Sequence, residues 1–290
     1  MRRRPASNPA RNLRPILDSV LDKNRSSFLE SDPLEFVRNY THPRDQEIAS
    51  FTAACFALGR VDLIRKAVGT VLGVMGGSPY AFVRKSDPAL LKGKFAGFVY
   101  RFFKAEDVAV LLFWIRQVLE RHGSLERLFL EGYGEGDPDV GPALSRFVRT
   151  MLQMETRPVV RSLSPDSGLR AYLSDPESGS GCKRLSLFLR WVVRREDPDL
   201  GIWKSVSPAK LVMPLDTHVI RLGKRLGLTR RATPDWKMAR EITESIRQFE
   251  PHDPVKYDFA LCHAGMVQPC PTGQDKNECG KCVFGVCCNG

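Results

Sequence analysis

The stretch "MPLDTHVIRLGKRLGL" (Met213–Leu228) puts one acid, Asp216, directly after Pro-Leu and directly before Thr-His. Pro214 ends the preceding segment, and the residues beyond Asp216 read as a helix whose later turns carry Arg221, Lys224 and Arg225. Asp216 can cap that helix with its side-chain oxygen. A carboxylate at a helix N-terminus is also favoured by the helix dipole. A fixed negative charge is useful where positive charge develops, as when a glycosidic bond breaks with oxocarbenium character. Two roles are therefore open for Asp216, a plain N-cap and a catalytic acid. Taken alone, an Asp so placed is more often a cap, and His218 is more often a packed helix residue than a catalyst.

Working outward, helical spacing dominates. "RDQEIASFTAACFALG" sets Ile48, Phe51, Thr52, Cys55 and Phe56 on one face. "DLIRKAVGTVLGVM" follows and stops at Gly76-Gly77-Ser78-Pro79, and "KAEDVAVLLFWIRQVLERHG" closes at Gly123. "GPALSRFVRTMLQM", "CKRLSLFLRWVVRR", "PDWKMAREITESIRQF" and "DPVKYDFALCHAG" have the same character. Period-2 strands and hairpin turns are scarce, so the expected class is all-α. "EGYGEGDPDVG" (131–141) reads as a loop, and "REDPDLGIWKSVSP" (195–208) as a second break and a lobe boundary.

The chain has 290 residues, enough for one large domain or two lobes. Its 44 Lys and Arg against 33 Asp and Glu give +11 and a pI near 9.4. That excess suits a polyanion, nucleic acid before an anionic membrane surface. The longest apolar run, "VAVLLFWI" (108–115), is cut by Arg116, far short of the roughly 20 residues of a membrane span. The Arg-rich start "MRRRPASNPARNLRP" lacks the apolar stretch of a secretory signal. It reads as a disordered basic arm, with Arg2, Arg3 and Arg4 adding phosphate affinity. The expectation is a cytoplasmic monomer, nucleoid-associated in a bacterium, with no membrane partner.

Two further clusters carry chemistry. "SGSGCKRLSLFLRW" (178–191) sets Gly179 and Gly181 ahead of Lys183 and an amphipathic helix. A Gly-rich turn at a helix start lets backbone N–H groups approach a phosphate. Lys183 would lie at that N-terminus, where the dipole and burial favour a nucleophilic amine. A solvated Lys on a flexible loop is the plainer alternative. Of eight cysteines, six fall between Cys262 and Cys288. Cys279-x2-Cys282 has metal-binding spacing, and Cys270 and Cys288 can complete four thiolate ligands for zinc or an iron–sulfur cluster. Cys262 lies among apolar neighbours in "DFALCHAG" and reads as a buried thiol outside that set.

Together these residues resemble the helix-hairpin-helix DNA glycosylases, the endonuclease III superfamily. "PLDTHVIRLGKRLGL" is similar to that family's PVDTHVxRxxxRLGL, "GSGCK" to its hairpin GVGxK, and the terminal cysteines to its [4Fe–4S] loop. "CKRLSLFLRWVVRRED", "PLDTHV" and "DPVKYDFAL" resemble, more narrowly, a branch known only as a domain of unknown function. The match covers roughly the C-terminal two-fifths of the chain, in the same motif order. Some features depart from the pattern. Lys183 and Asp216 lie further apart, around "EDPDLGIWKSVSPAK", and "PESGSG" stands where Leu-Pro precedes the hairpin glycines. Eight residues, not six, separate Cys270 from Cys279, and Cys287 competes with Cys288.

The resemblance implies a two-lobed helical fold. Residues 1–44 would form a basic arm and N-terminal helices packing on the C-terminal lobe. Residues 45–197 would form a barrel lobe with the hairpin, and residues 198–290 the lobe of the Asp helix and the cysteine loop. Duplex DNA with one flipped base would occupy the cleft. Lys183 would attack C1′, displace the base and form a Schiff base; Asp216 would help deprotonate Lys183 or stabilise the developing cation. Gly179, Gly181, Arg184 and Arg221 would bind the DNA, and Cys270, Cys279, Cys282 and Cys288 would hold a [4Fe–4S] cluster, with zinc as the alternative. Two other functions fit the residues: a catalytically inactive DNA- or RNA-binding protein of this fold, and a zinc-stapled protein-interaction module.

Overall fold

A computed structural model describes residues 9–24, 32–267 and 283–284. The expected basic arm at Arg2, Arg3 and Arg4, and Cys270, Cys279, Cys282, Cys287 and Cys288, lie outside the described residues. The described chain is all-α apart from one small hairpin. It runs α1 (Pro9–Asn24), α2 (Leu34–Arg38), α3 (Pro43–Cys55), α4 (Val61–Met75), α5 (Pro79–Lys85) and α6 (Pro88–Lys94). Strands β1 (Val99–Tyr100) and β2 (Phe103–Lys104) pair antiparallel, Val99 opposite Lys104. Then come α7 (Ala105–Arg121), α8 (Leu125–Leu130), α9 (Gly141–Leu152), α10 (Gly168–Tyr172) and α11 (Lys183–Val193). The series closes with α12 (Thr217–Arg225), α13 (Trp236–Arg247) and α14 (Asp258–Val267). Among the described residues no helix is long and apolar enough to cross a membrane.

Local chemistry sets the helix starts. Ser78 and Asp87 each accept a backbone N–H of the turn they cap, from Ala81 at 3.2 Å and Ala89 at 2.9 Å. Pro79 and Pro88 follow them at the first helical position, where a missing N–H costs nothing. α7 ends at His122, and Gly123 follows with φ of 86°, a left-handed geometry that suits glycine.

α3 is buried on all sides from Glu47 to Cys55, as expected of a central helix. Phe51 packs edge-on against Phe188 of α11 and Phe147 of α9, with centroids 5.1 and 5.7 Å away. Tyr172 of α10 donates its hydroxyl to the Phe51 carbonyl at 2.9 Å. Glu47 is a buried acid with three donors. It accepts the N–H groups of Leu125 and Glu126 at the start of α8, at 3.2 and 3.0 Å, and Trp203 Nε1 at 2.9 Å. Burial pushes its carboxyl up, and these hydrogen bonds oppose the shift.

The 195–208 stretch, expected as a break between lobes, is bound into the core. Leu200 and Trp203 donate their N–H groups to the carbonyls of Trp191 and Val192 at 2.7 and 2.8 Å. Trp203 is fully buried between Phe129 and Phe188. Its Pro, Asp and Gly content reads locally as a loop, but one buried indole ties the segment to α11. Buried apolar side chains form one continuous core from Leu13 to Phe284. The N-terminal helix belongs to that core. α1 packs on α14, and Asp18 accepts the Tyr257 hydroxyl at 2.8 Å.

Candidate active site

The turn ahead of α11 is built from unusual backbone. Gly179 has φ of 85° and open space around it, so conformation requires the glycine. Gly181 is constrained by space: a Cβ there would meet the Pro234 carbonyl oxygen at 3.1 Å. The turn therefore rests on the segment leading into α13. Cys182, at the cap of α11, has φ of 46°, left-handed for a non-glycine residue. Its buried thiol donates to the Ser174 carbonyl at 3.2 Å, which helps hold this geometry. No local sequence signal marks that role. Lys183 is the first residue of α11 and is half-buried.

Asp216 occupies the cap of α12, with Oδ1 accepting the Val219 N–H at 2.7 Å. The segment before it is anchored. Leu211, Val212, Met213 and Leu215 are buried, and Met213 donates its N–H to Thr243 Oγ1 at 3.0 Å. The second carboxylate oxygen, Oδ2, accepts from the Cys262 thiol of α14 at 2.8 Å. His218 is packed between α12 and α14; a Cβ on Gly265 would meet its Cβ at 2.6 Å. Gly265 thus lets the two helices approach closely.

The sequence did not reveal the acid at the start of α14. Asp258 is buried and ion-paired to Arg190 of α11, itself nearly inaccessible. Arg190 also pairs with Asp199 at 3.2 Å and Asp32 at 3.5 Å, and its guanidinium lies 3.9 Å from the Phe259 ring centroid. Burial pushes the Asp258 carboxyl up to about 6; Arg190 opposes this and the charge of Asp216 adds to it. Burial likewise raises Asp32 and Asp199, against the same guanidinium.

The positive charge of Lys183 acts on Asp32, Asp258 and Cys262. The negative charge of Asp216 acts on Asp258 and Cys262. Asp258 and Cys262 lie one turn apart on α14. Asp216 contacts that turn directly through the Cys262 thiol, and the charge of Lys183 reaches the same turn.

Two expected DNA-binding residues, Arg184 and Arg221, donate to main-chain carbonyls within the protein. Arg184 is buried; it donates to the Cys55 carbonyl at 2.8 Å and stacks over Tyr172 and Phe103, 5.4 and 5.7 Å from their centroids. Arg221 is half-buried and donates to the Gly265 carbonyl, tying α12 to α14. Arg184 follows Lys183 in sequence, but the helix turns its side chain towards α3 instead. A cavity of about 350 Å³ is lined by Asp139, Lys237, Arg240 and Glu244 among others, and by neither Lys183 nor Asp216. Its Arg240 is paired to Asp139 at 2.7 Å.

A family model described as "Protein of unknown function (DUF2400)" matches residues 32–267. The match spans most of the chain, which therefore belongs to that family. No curated protein and no solved structure matches it.

Proposed function

We propose that this member of the DUF2400 family is a DNA N-glycosylase with abasic-site lyase activity, on a two-lobed helix-hairpin-helix fold. The observation that carries the proposal is the bond from the Cys262 thiol of α14 to Asp216, on a helix turn that the charge of Lys183 also reaches. A nucleophilic amine beside a fixed carboxylate suits cleavage of a glycosidic bond. The Lys183 amine attacks C1′ of a flipped nucleotide, and the bond to the base breaks. The resulting amine adduct opens to a Schiff base, from which the 3′ phosphate is eliminated. Asp216, bonded through both oxygens, supplies the negative charge that stabilises the oxocarbenium-like transition state. In this proposal Gly179 and Gly181 bring the turn's backbone to a phosphate. Cys270, Cys279, Cys282 and Cys288 would hold a [4Fe–4S] cluster, or zinc, in a structural role.

A second function, nucleic-acid binding without catalysis, is favoured by the departures from the glycosylase pattern, "PESGSG" ahead of the hairpin and the long separation of Lys183 from Asp216. Borohydride trapping against a panel of duplexes carrying abasic sites and damaged or modified bases separates the two. A trapped adduct is expected; DNA binding with no adduct on any substrate rejects the enzyme and leaves the binding protein.

A further inference from the structure

We propose that Cys262 is a positioning residue for Asp216: its thiol donates to Oδ2 while the Val219 N–H donates to Oδ1, and the two bonds together fix the carboxylate. The proposal deepens the glycosylase function above and rests on it for the catalytic consequence alone.

The cap bond from Val219, at 2.7 Å, holds one oxygen and leaves the carboxylate free to pivot about it. The thiol at 2.8 Å holds the other oxygen, from a different helix, and so sets the plane of the group. A cationic donor would offset the charge of Asp216; a thiol leaves that charge intact. Burial, then the negative charges of Asp216 and Asp258, push the Cys262 thiol well up and keep its proton on sulfur. The contact depends on close packing of α12 on α14. Gly265 permits that approach, and Arg221 reinforces it through the Gly265 carbonyl.

The test uses full-length Cys262→Ala, Cys262→Val and Cys262→Ser, with thermal unfolding confirming that each is folded. On the damaged-base duplex that wild type traps, single-turnover base excision should slow about tenfold in the Ala and Val variants, the loss expected for one hydrogen bond. Duplex affinity should be unchanged. Cys262→Ser retains a donor and should stay within roughly threefold of wild type. The second readout needs no activity. The infrared S–H stretching band of Cys262, assigned by its loss in Cys262→Ala, should move to higher frequency in Asp216→Ala. An unmoved band overturns the proposal, as does Ser slowing as much as Ala. A shifted band in a protein that traps no DNA keeps the positioning bond and rejects the glycosylase function.

Discussion

Arg190 of α11 and Asp258 of α14 form an ion pair inside the protein, with Arg190 shared by Asp32 and Asp199. Three carboxylates face one guanidinium there, and a second, Arg194, contributes through Asp199. Ionising all three is costly, so the folded protein binds a proton more tightly than the unfolded chain does. For Asp258 the carboxyl is raised to about 6 from an ordinary value of 3.8. Its contribution to stability is full below the unfolded value and is lost as pH rises through about 6. Wild type should therefore lose stability relative to Asp258→Asn between about pH 4 and pH 7. The upper bound is on the order of 3 kcal/mol. Denaturant unfolding of both proteins across that range checks this; parallel pH curves would refute it.

Lys183 and Asp216 should separate cleanly by variant. Lys183→Gln removes the amine and should abolish borohydride trapping. Asp216→Asn keeps an oxygen for the Val219 N–H, so stability should change little. Base excision should fall by roughly 10² or more, because a charge aimed at the transition state is lost. Trapping by Lys183→Gln would move the nucleophile elsewhere; full activity of Asp216→Asn would leave Asp216 as a helix cap.

The positions of the arginines set expectations for DNA affinity. With a net charge of +11, binding to undamaged duplex should weaken steeply with salt. About five to eight neutralised phosphates give a slope of log K against log[salt] of roughly −4 to −7. Arg184→Ala should leave that slope unchanged and lower stability by roughly 2–4 kcal/mol, since it removes a buried hydrogen bond and two ring contacts. A shallower slope with unchanged stability would return Arg184 to the DNA surface.

Metal content provides a separate test. Protein purified without oxygen should be brown and hold about four irons per chain if one cluster forms. Cys282→Ala should lose the metal, and Cys262→Ala, whose thiol is engaged with Asp216, should keep it. One tightly held zinc would replace iron and keep the structural role; full retention in Cys282→Ala would remove Cys282 from the ligands.

The sequence by itself determined the local features. Helical spacing and end signals located the long helices, because a 3.6-residue period and a cap involve neighbours only a few residues apart. Asp216 was legible as a cap for the same reason, and the glycines ahead of Lys183 as a turn. Tertiary structure decided what depends on distant partners. Trp203 binds Glu47 across 156 residues and draws an apparent linker into the core. Arg184 is a basic residue whose helix face is turned inward by packing, and Arg221 bonds to the Gly265 carbonyl of α14. Cys262 meets Asp216 across 46 residues, and Asp258 meets Arg190 across 68. No local pattern encodes such pairings: they exist only once α11, α12 and α14 have packed, and burial then sets their charges and hydrogen bonds.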